Sequence, residues 1–178
     1  MFREKTLKSE YVYKGKILNL RVDQVELENG KTSLREVVEH RGAVAIIAVD
    51  NGSLIMVRQF RKAIEGDLLE IPAGKIENED PLNCAIRELK EETGYTADKW
   101  QYICEFYTTP GFSNEKIFLY YATDLKKGQI APDDDEFIRI EHLKLEDAAQ
   151  MLKRGEFKDA KTIIGIHYAI RLTGVNYE

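Results

Sequence analysis

Three glutamates on one short predicted helix are the residues of this sequence whose types and spacing most clearly suggest chemistry. Glu88, Glu91 and Glu92 are separated by helical steps, so their carboxylates share one face. Their repulsion costs roughly 0.2–0.5 kcal/mol per pair, and the nearby helix C-terminus disfavours anions further. A divalent cation such as Mg²⁺ offsets this cost, because it binds carboxylate oxygens and keeps positions for water and phosphate oxygens. The alternative is a solvated charged face, since Glu, Lys and Arg all favour helices.

The helix that carries these glutamates has well-marked ends. Asp80 is placed to cap the N-terminus, Pro81 suits the first helical position, and Gly94 follows Thr93 at the end. An apolar stripe predicts that the helix packs on a sheet with the glutamates on the opposite side. The stripe consists of Leu82, Ala85, Ile86, Leu89 and Thr93.

Strand patterns surround this helix. Ile17–Leu27 and Thr32–Glu39 flank Asn29-Gly30, which is typical of a hairpin turn. The predicted strands of a central sheet are Ala43–Val49, Leu54–Phe60, Trp100–Tyr107, Ile117–Ala122 and Phe137–Ile140. Two more helices are predicted at Leu145–Arg154 and Ala160–Leu172. The elements predict an α+β or α/β sandwich with an N-terminal β-hairpin annex.

Composition limits the classes of protein that need consideration. The 178 residues, with 43% apolar and 32% charged side chains, indicate one globular unit and exclude a disordered chain. The net charge of −5 lacks the basic character of a protein that binds nucleic acid polymers. The longest apolar run, Ala43–Val49, is far shorter than the ~20 residues of a membrane helix. With no signal-peptide pattern and two reduced cysteines, Cys84 and Cys104, we expect a cytoplasmic protein with no membrane partner.

The segment from Ala73 to Tyr95 resembles the Nudix box, the loop-helix-loop signature of enzymes that cleave a nucleoside diphosphate linked to another group. Its sequence is AGKIENE, seven further residues, and then RELKEETGY. The loop departs from the family pattern, because four residues rather than five separate Gly74 from Glu79. Outside the box, Arg58–Arg61 (RQFR), Leu69–Lys75 (LEIPAGK) and Pro110 are similar to the ADP-ribose pyrophosphatase branch of the family.

This resemblance implies a Nudix-type α/β/α sandwich with a mixed sheet, formed by residues 42–178. Residues 1–41 would be a β-rich extension that contributes to a homodimer and to substrate contacts. The implied function is Mg²⁺-dependent hydrolysis of ADP-ribose to AMP and ribose 5-phosphate, with Mn²⁺ as an alternative metal. Another nucleotide sugar such as GDP-mannose is the alternative substrate, and a non-catalytic module that senses ADP-ribose is the alternative class of function.

The resemblance also implies roles for individual residues near the metal. The Ala73 carbonyl, Glu88, Glu91 and Glu92 are the expected ligands, and Glu92 also counts among the catalytic residues. Arg87 is expected to orient carboxylates through an ion pair with Glu91 or Glu79. In the acidic loop 133–136, the catalytic or metal-binding carboxylate is expected at Glu136, with Asp134 as the alternative.

Substrate contacts are expected from both parts of the chain. Arg35, Arg58 and Arg61 are candidates for phosphate binding, because a guanidinium matches phosphate oxygens with two donors. Glu36 and Glu70 would either bind ribose or adenine, or pair with a neighbouring arginine. The turn with Pro110 and Phe112 is expected to be a further substrate contact. The aromatic residue that stacks on adenine stays open among Tyr11, Tyr13 and Phe112.

Overall fold

A computed structural model describes residues 3–129 and 137–175, which form two compact units. The first, here called the N-terminal unit, comprises Met1–Gly42 and Phe106–Lys116. The second, here called the main unit, comprises Ala43–Glu105 and Ile117–Glu178. No helix in the described ranges is long and apolar enough to span a bilayer.

The N-terminal unit contains a three-stranded antiparallel sheet. Its strands are β1 (Lys5–Lys14), β2 (Asn19–Glu26) and β3 (Thr32–Glu39), in that order across the sheet. Gly30 has φ 76°, the left-handed conformation that the turn between β2 and β3 requires. The predicted hairpin is therefore present. Strand β1 was not predicted, because every residue of that strand is exposed and no buried face gives it an apolar pattern.

The main unit is built on a mixed sheet, as the resemblance implied. Its strands are β4 (Ala43–Asp50), β5 (Ser53–Arg61), β6 (Gly66–Glu70), β7 (Ala73–Lys75), β8 (Tyr95–Tyr107), β9 (Lys116–Lys127) and β10 (Ile138–Lys144). The order β10-β5-β4-β9-β8 forms the main path of the sheet, while β6 pairs with β5 and β7 pairs with β4. Strands β4 and β9 run parallel, whereas the pairs β10–β5, β4–β5, β4–β7 and β5–β6 are antiparallel.

Helices cover both faces of this sheet. They are α1 (Pro81–Thr93), α2 (Leu145–Lys153) and α3 (Ala160–Thr173). Val44 and Ile46 of β4 share a buried cluster with Leu89 of α1. Ile47, the residue after Ile46 in β4, lies near Gly165 of α3, where an added Cβ atom would be 3.5 Å from Ile47 Cγ1. Because side chains alternate along a strand, α1 and α3 pack on opposite faces, which confirms the α/β/α sandwich.

Helix α1 has the predicted ends but buries a different face. Asp80 accepts hydrogen bonds from the Leu82 and Asn83 amides at 3.1 and 3.2 Å, and Gly94 closes the helix at φ 72°. The predicted apolar stripe was wrong at Leu82 and Ile86, which are exposed. The buried residues are Cys84, Ala85, Glu88, Leu89, Glu92 and Thr93. Two carboxylates therefore lie on the inward face, and two aliphatic side chains turn outward.

This orientation of α1 predicts unequal effects of two leucine truncations. We expect Leu89→Ala to lower the free energy of unfolding by about 2–5 kcal/mol, because Leu89 is fully buried and its loss leaves a cavity. Leu82→Ala, on the exposed side, should cost less than about 1 kcal/mol. Urea unfolding followed by circular dichroism measures both. Equal losses, or a larger loss for Leu82→Ala, would contradict the assigned face.

Candidate active site

The inward face of α1 brings Glu88 and Glu92 to the short strand β7. Their exposed fractions are only 9% and 3%. Glu92 Oε2 accepts a hydrogen bond from the Ala73 amide at 3.0 Å. The Glu88 carboxylate lies against Gly74, where a Cβ atom would come within 1.8 Å of Glu88 Cδ. Gly74 thus leaves the space that the Glu88 carboxylate occupies, and the fold gathers Ala73, Glu88 and Glu92 at one place.

Arg87 joins three carboxylates around this place. Its guanidinium donates to Glu79 Oε1 from Nε at 3.0 Å and from Nη2 at 2.7 Å, and Nη1 donates to Glu91 Oε2 at 2.6 Å. Nη2 also lies 2.9 Å from Glu88 Oε1. Hydrogen bonding to Glu79 raises the pKa of Arg87, and the same bonds lower the pKa of Glu79. Both ion pairs that the sequence predicted as alternatives are present, together with a third.

The donor set at this place suits a hard divalent cation. It offers two buried carboxylates beside a backbone segment, and Gly74 provides a recess for one of them. In the described part of the chain, no group of three or more His, Cys, Asp or Glu side chains is arranged as a metal site as it stands. Glu88 and Glu91 lie against Arg87, so a bound cation would share these carboxylates with the guanidinium or take them from it.

A buried ionic network lies next to the carboxylates of α1. Glu70, 1% exposed, accepts two hydrogen bonds of 2.7 Å from Arg61 and a further one from Lys161. Burial acts to raise the pKa of Glu70, but the bonds from Arg61 and the charge of Lys161 outweigh it and lower that pKa. The pKa of Arg61 is raised by its bond to Glu70 and further by the charge of Glu92. Of the two alternatives for Glu70, the structure shows the pair with an arginine.

The remaining predicted residues lie in several places. Arg58 is held by Glu141 of β10 through bonds of 2.5 and 3.2 Å. Arg35 in the N-terminal unit donates to Glu4 from Nε at 2.9 Å. Three other residues of that unit are exposed, namely Glu36, Pro110 and Phe112. Their roles stay predictions. Glu136 and Asp134 lie outside the described residues.

Sequence reasoning missed the lysine of the buried network. Lys161 reaches Glu70 across 91 positions of sequence, so no local spacing connects them. The role of Gly74 had a local signal, because this glycine follows directly after the predicted ligand Ala73.

Comparison with known proteins identifies the family. Residues 38–164 match the model of the NUDIX domain, which is well over half of the chain. The chain belongs to the Nudix family. It is therefore a Nudix hydrolase, and such hydrolases generally use a divalent metal. Residues 4–38 match the nucleoside diphosphate sugar hydrolase N-terminal domain.

Several Nudix relatives cover most of the chain. ADP-ribose pyrophosphatase of Bacillus subtilis (strain 168) is 48% identical over 93% of this chain and 91% of its own length. Methanol dehydrogenase activator of Bacillus methanolicus is 46% identical over 94% of this chain and 93% of its own length. GDP-mannose pyrophosphatase of Yersinia enterocolitica is 34% identical over 80% of this chain and 81% of its own length. The crystal structure of an ADP compounds hydrolase matches 99% of this chain and 97% of its own length with a TM-score of 0.85 at 22% identity, which shows the same fold.

Substituting Gly74 tests the recess for the Glu88 carboxylate. Gly74→Ala places a methyl group where that carboxylate lies, so we expect a folded protein whose hydrolytic activity falls about tenfold or more. Gly66→Ala is the matched control, because its Cβ meets no atom closer than 3.7 Å and should leave activity unchanged. Initial rates at several Mg²⁺ concentrations provide the measurement. Full activity in Gly74→Ala would show that Glu88 does not need this position.

Proposed function

We propose that this Nudix hydrolase cleaves the pyrophosphate bond of ADP-ribose and releases AMP and ribose 5-phosphate, with Mg²⁺ as its cofactor. The observation that carries the proposal is the burial of Glu88 and Glu92 beside Ala73 and Gly74, within a segment matching the Nudix model. Support for ADP-ribose comes from the 48% identity to an ADP-ribose pyrophosphatase along nearly the whole chain.

The proposed metal ligands are Ala73, Glu88, Glu91 and Glu92, with Mn²⁺ as a substitute for Mg²⁺. When bound, the cation supplies charge neutralisation on the bridging oxygen and a water of lowered pKa. Contacts within the chain already orient three of these ligands. Arg87 keeps Glu88 and Glu91 in place without a cation, and the Ala73 amide holds one oxygen of Glu92. The carboxylates are thus held in a fixed orientation, which limits the rearrangement that metal binding requires.

A general base completes the proposed mechanism. This base must accept the proton of the attacking water. A positioned carboxylate can do so, and it works best when its pKa lies near the operating pH. We assign this role to Glu136 and keep Asp134 as the alternative.

Substrate recognition is proposed for several further residues that the resemblance implied. Arg61 is the phosphate-binding candidate of the main unit, because Glu70 fixes its guanidinium through Nε and Nη2 while its side chain stays 40% exposed. Arg58 is the second candidate, although Glu141 already engages it. Residues 1–41 are proposed as an extension that contributes Arg35 and Glu36 to substrate contacts, and Pro110 and Phe112 are proposed as further contacts.

A panel of substrates tests the proposal. Purified protein is incubated with ADP-ribose or GDP-mannose, with Mg²⁺ or with a chelator, and products are separated by chromatography. We expect AMP and ribose 5-phosphate from ADP-ribose, a kcat/KM about tenfold or more above that for GDP-mannose, and no product with the chelator. GDP-mannose is the second candidate, because a GDP-mannose pyrophosphatase is 34% identical. Preferred GMP release would support that substrate, and ADP-ribose binding without hydrolysis would support a sensing module.

Replacing Glu92 tests whether the activity belongs to the described site. Glu92→Gln keeps the side-chain volume and an oxygen that accepts the Ala73 amide, but removes the charge that a cation needs. We expect a fall in kcat of about 100-fold with little change in the free energy of unfolding. Glu146→Gln, on the exposed first turn of α2, is the control and should match the wild type. Near-normal turnover in Glu92→Gln would refute the metal assignment.

A homodimer is proposed from the surface of the N-terminal unit. β1 is an edge strand with all ten residues exposed, and it carries Tyr11, Val12 and Tyr13 at 45%, 63% and 58% exposure. An exposed edge strand that carries a run of apolar side chains favours pairing with another chain. We expect light scattering to give about twice the 20.5 kDa of one chain, and Val12→Glu to shift it toward the monomer. A wild-type protein that is monomeric at all concentrations would contradict this proposal.

The proposed reaction is placed in the cytoplasm. Cys84 and Cys104 are both free thiols, as is usual in a reducing compartment.

A further inference from the structure

The connection between β6 and β7 is fixed at each of its residues. It runs through Glu70, Ile71, Pro72 and Ala73 and leads directly into the proposed metal ligands. The Glu70 carboxylate is held by Arg61 and Lys161, and the Pro72 carbonyl accepts from the Ile46 amide at 2.8 Å. Beyond them, the Ala73 amide donates to Glu92. Because proline has no N–H, Ile71 provides the only amide donor between Glu70 and Ala73.

The Ile71 amide is satisfied by a side chain of α3. It donates to Thr162 Oγ1 at 3.0 Å, and Thr162 is fully buried. The Thr162 hydroxyl in turn donates to Asp159 Oδ2 at 2.5 Å. One hydroxyl therefore accepts from the connection and donates to the residue that caps α3, which uses both capacities of the group.

Asp159 and Lys161 tie this hydroxyl to the buried network. Asp159 Oδ2 accepts from the Thr162 amide and from Lys161 Nζ, each at 3.0 Å. Lys161 also donates to Glu70, the first residue of the connection. The same helix packs against the connection through Gly165, where a Cβ atom would lie 2.7 Å from Ile71 Cδ1. Residues of α3 thus contact the connection at three groups, namely the Ile71 amide, the Glu70 carboxylate and the Ile71 side chain.

We propose that Thr162, fixed by Asp159 and Lys161, is a positioning residue for hydrolysis. Its hydroxyl sets the backbone at Ile71 and thereby the backbone at Ala73, whose amide orients Glu92 and whose carbonyl is a proposed ligand of the cation. Thr162 acts through this backbone without touching the substrate. The inference rests on the proposed metal ligands, and it assigns to α3 a role in the site that the Nudix box does not include.

Two substitutions at Thr162 and one matched control separate positioning from stability. Thr162→Val keeps the shape but removes the hydroxyl, and Thr162→Ser restores it. Thr173→Val removes a hydroxyl whose bonds within the described residues go to carbonyls of α3 itself, at Ala169 and Ile170. Each protein is titrated with Mn²⁺ alone by electron paramagnetic resonance, and kcat, KM for ADP-ribose and the free energy of unfolding are measured in parallel.

We expect Thr162→Val to weaken Mn²⁺ binding about tenfold and to lower kcat by a similar factor, with KM changed less than about twofold. Thr162→Ser and Thr173→Val should bind Mn²⁺ within about twofold of the wild type. Lys161→Met removes the ammonium group that donates to both Glu70 and Asp159, so it should also weaken Mn²⁺ binding. This variant takes the place of Thr162→Val if Thr162→Val does not fold.

Wild-type Mn²⁺ affinity in folded Thr162→Val, or in Lys161→Met, would overturn the proposal even if stability falls. Failure of Thr162→Ser to restore the affinity would overturn it as well. The Mn²⁺ titration needs no substrate, so it separates this proposal from the proposed function. If ADP-ribose is not hydrolysed but Mn²⁺ binding depends on the hydroxyl, the substrate assignment fails and the positioning role stands.

Discussion

The candidate active site depends on the burial of two carboxylates on the inward face of α1. A buried charge is costly unless it is paired or hydrogen-bonded, and both forms of compensation are present. Glu88 lies against Arg87, while Glu92 accepts from the Ala73 amide. Leu82 and Ile86 of the same helix are exposed, while these two acidic side chains are buried. An arrangement that sacrifices apolar burial for buried charge is typical of a functional site rather than of a packing solution.

The loop that precedes α1 is one residue shorter than in the Nudix pattern, and the structure accommodates this change. Glu79 at its end still receives two bonds from Arg87. The buried thiol of Cys84 lies 3.4 Å from the Lys75 carbonyl. Burial raises the pKa of Cys84 to about 12, so the thiol stays protonated and donates to that carbonyl. The shorter loop therefore keeps the connections between β7 and α1 that place Ala73 beside Glu92.

Much of the fold could be predicted because its signals are local. The ends of α1 follow from Asp80, Pro81 and Gly94, whose effects act within one helical turn. The hairpin follows from Asn29-Gly30. The strands β6 and β7 were missed because five and three residues are too few to establish an alternating pattern.

The site could be predicted only in part, for a related reason. The pairing of Arg87 with Glu91 spans one helical turn and is visible in the sequence. The prediction that Glu88 and Glu92 face away from the sheet was wrong, because the apolar stripe was assumed to exclude charged residues from the buried face. The contacts of Lys161 with Glu70 and of Thr162 with Ile71 each join residues 91 positions apart, so only the folded chain brings them together.

The central claim is that the buried carboxylates of α1 are metal ligands which Arg87 and the Ala73 amide hold until a cation binds. A crystal structure with Mg²⁺ and a non-hydrolysable ADP-ribose analogue tests it most directly. The claim predicts carboxylate oxygens of Glu88 and Glu92 about 2.0–2.1 Å from Mg²⁺, with phosphate oxygens of the analogue on the same ion. Carboxylates that keep their contacts with Arg87 and Ala73, while Mg²⁺ and the analogue bind elsewhere, would contradict it.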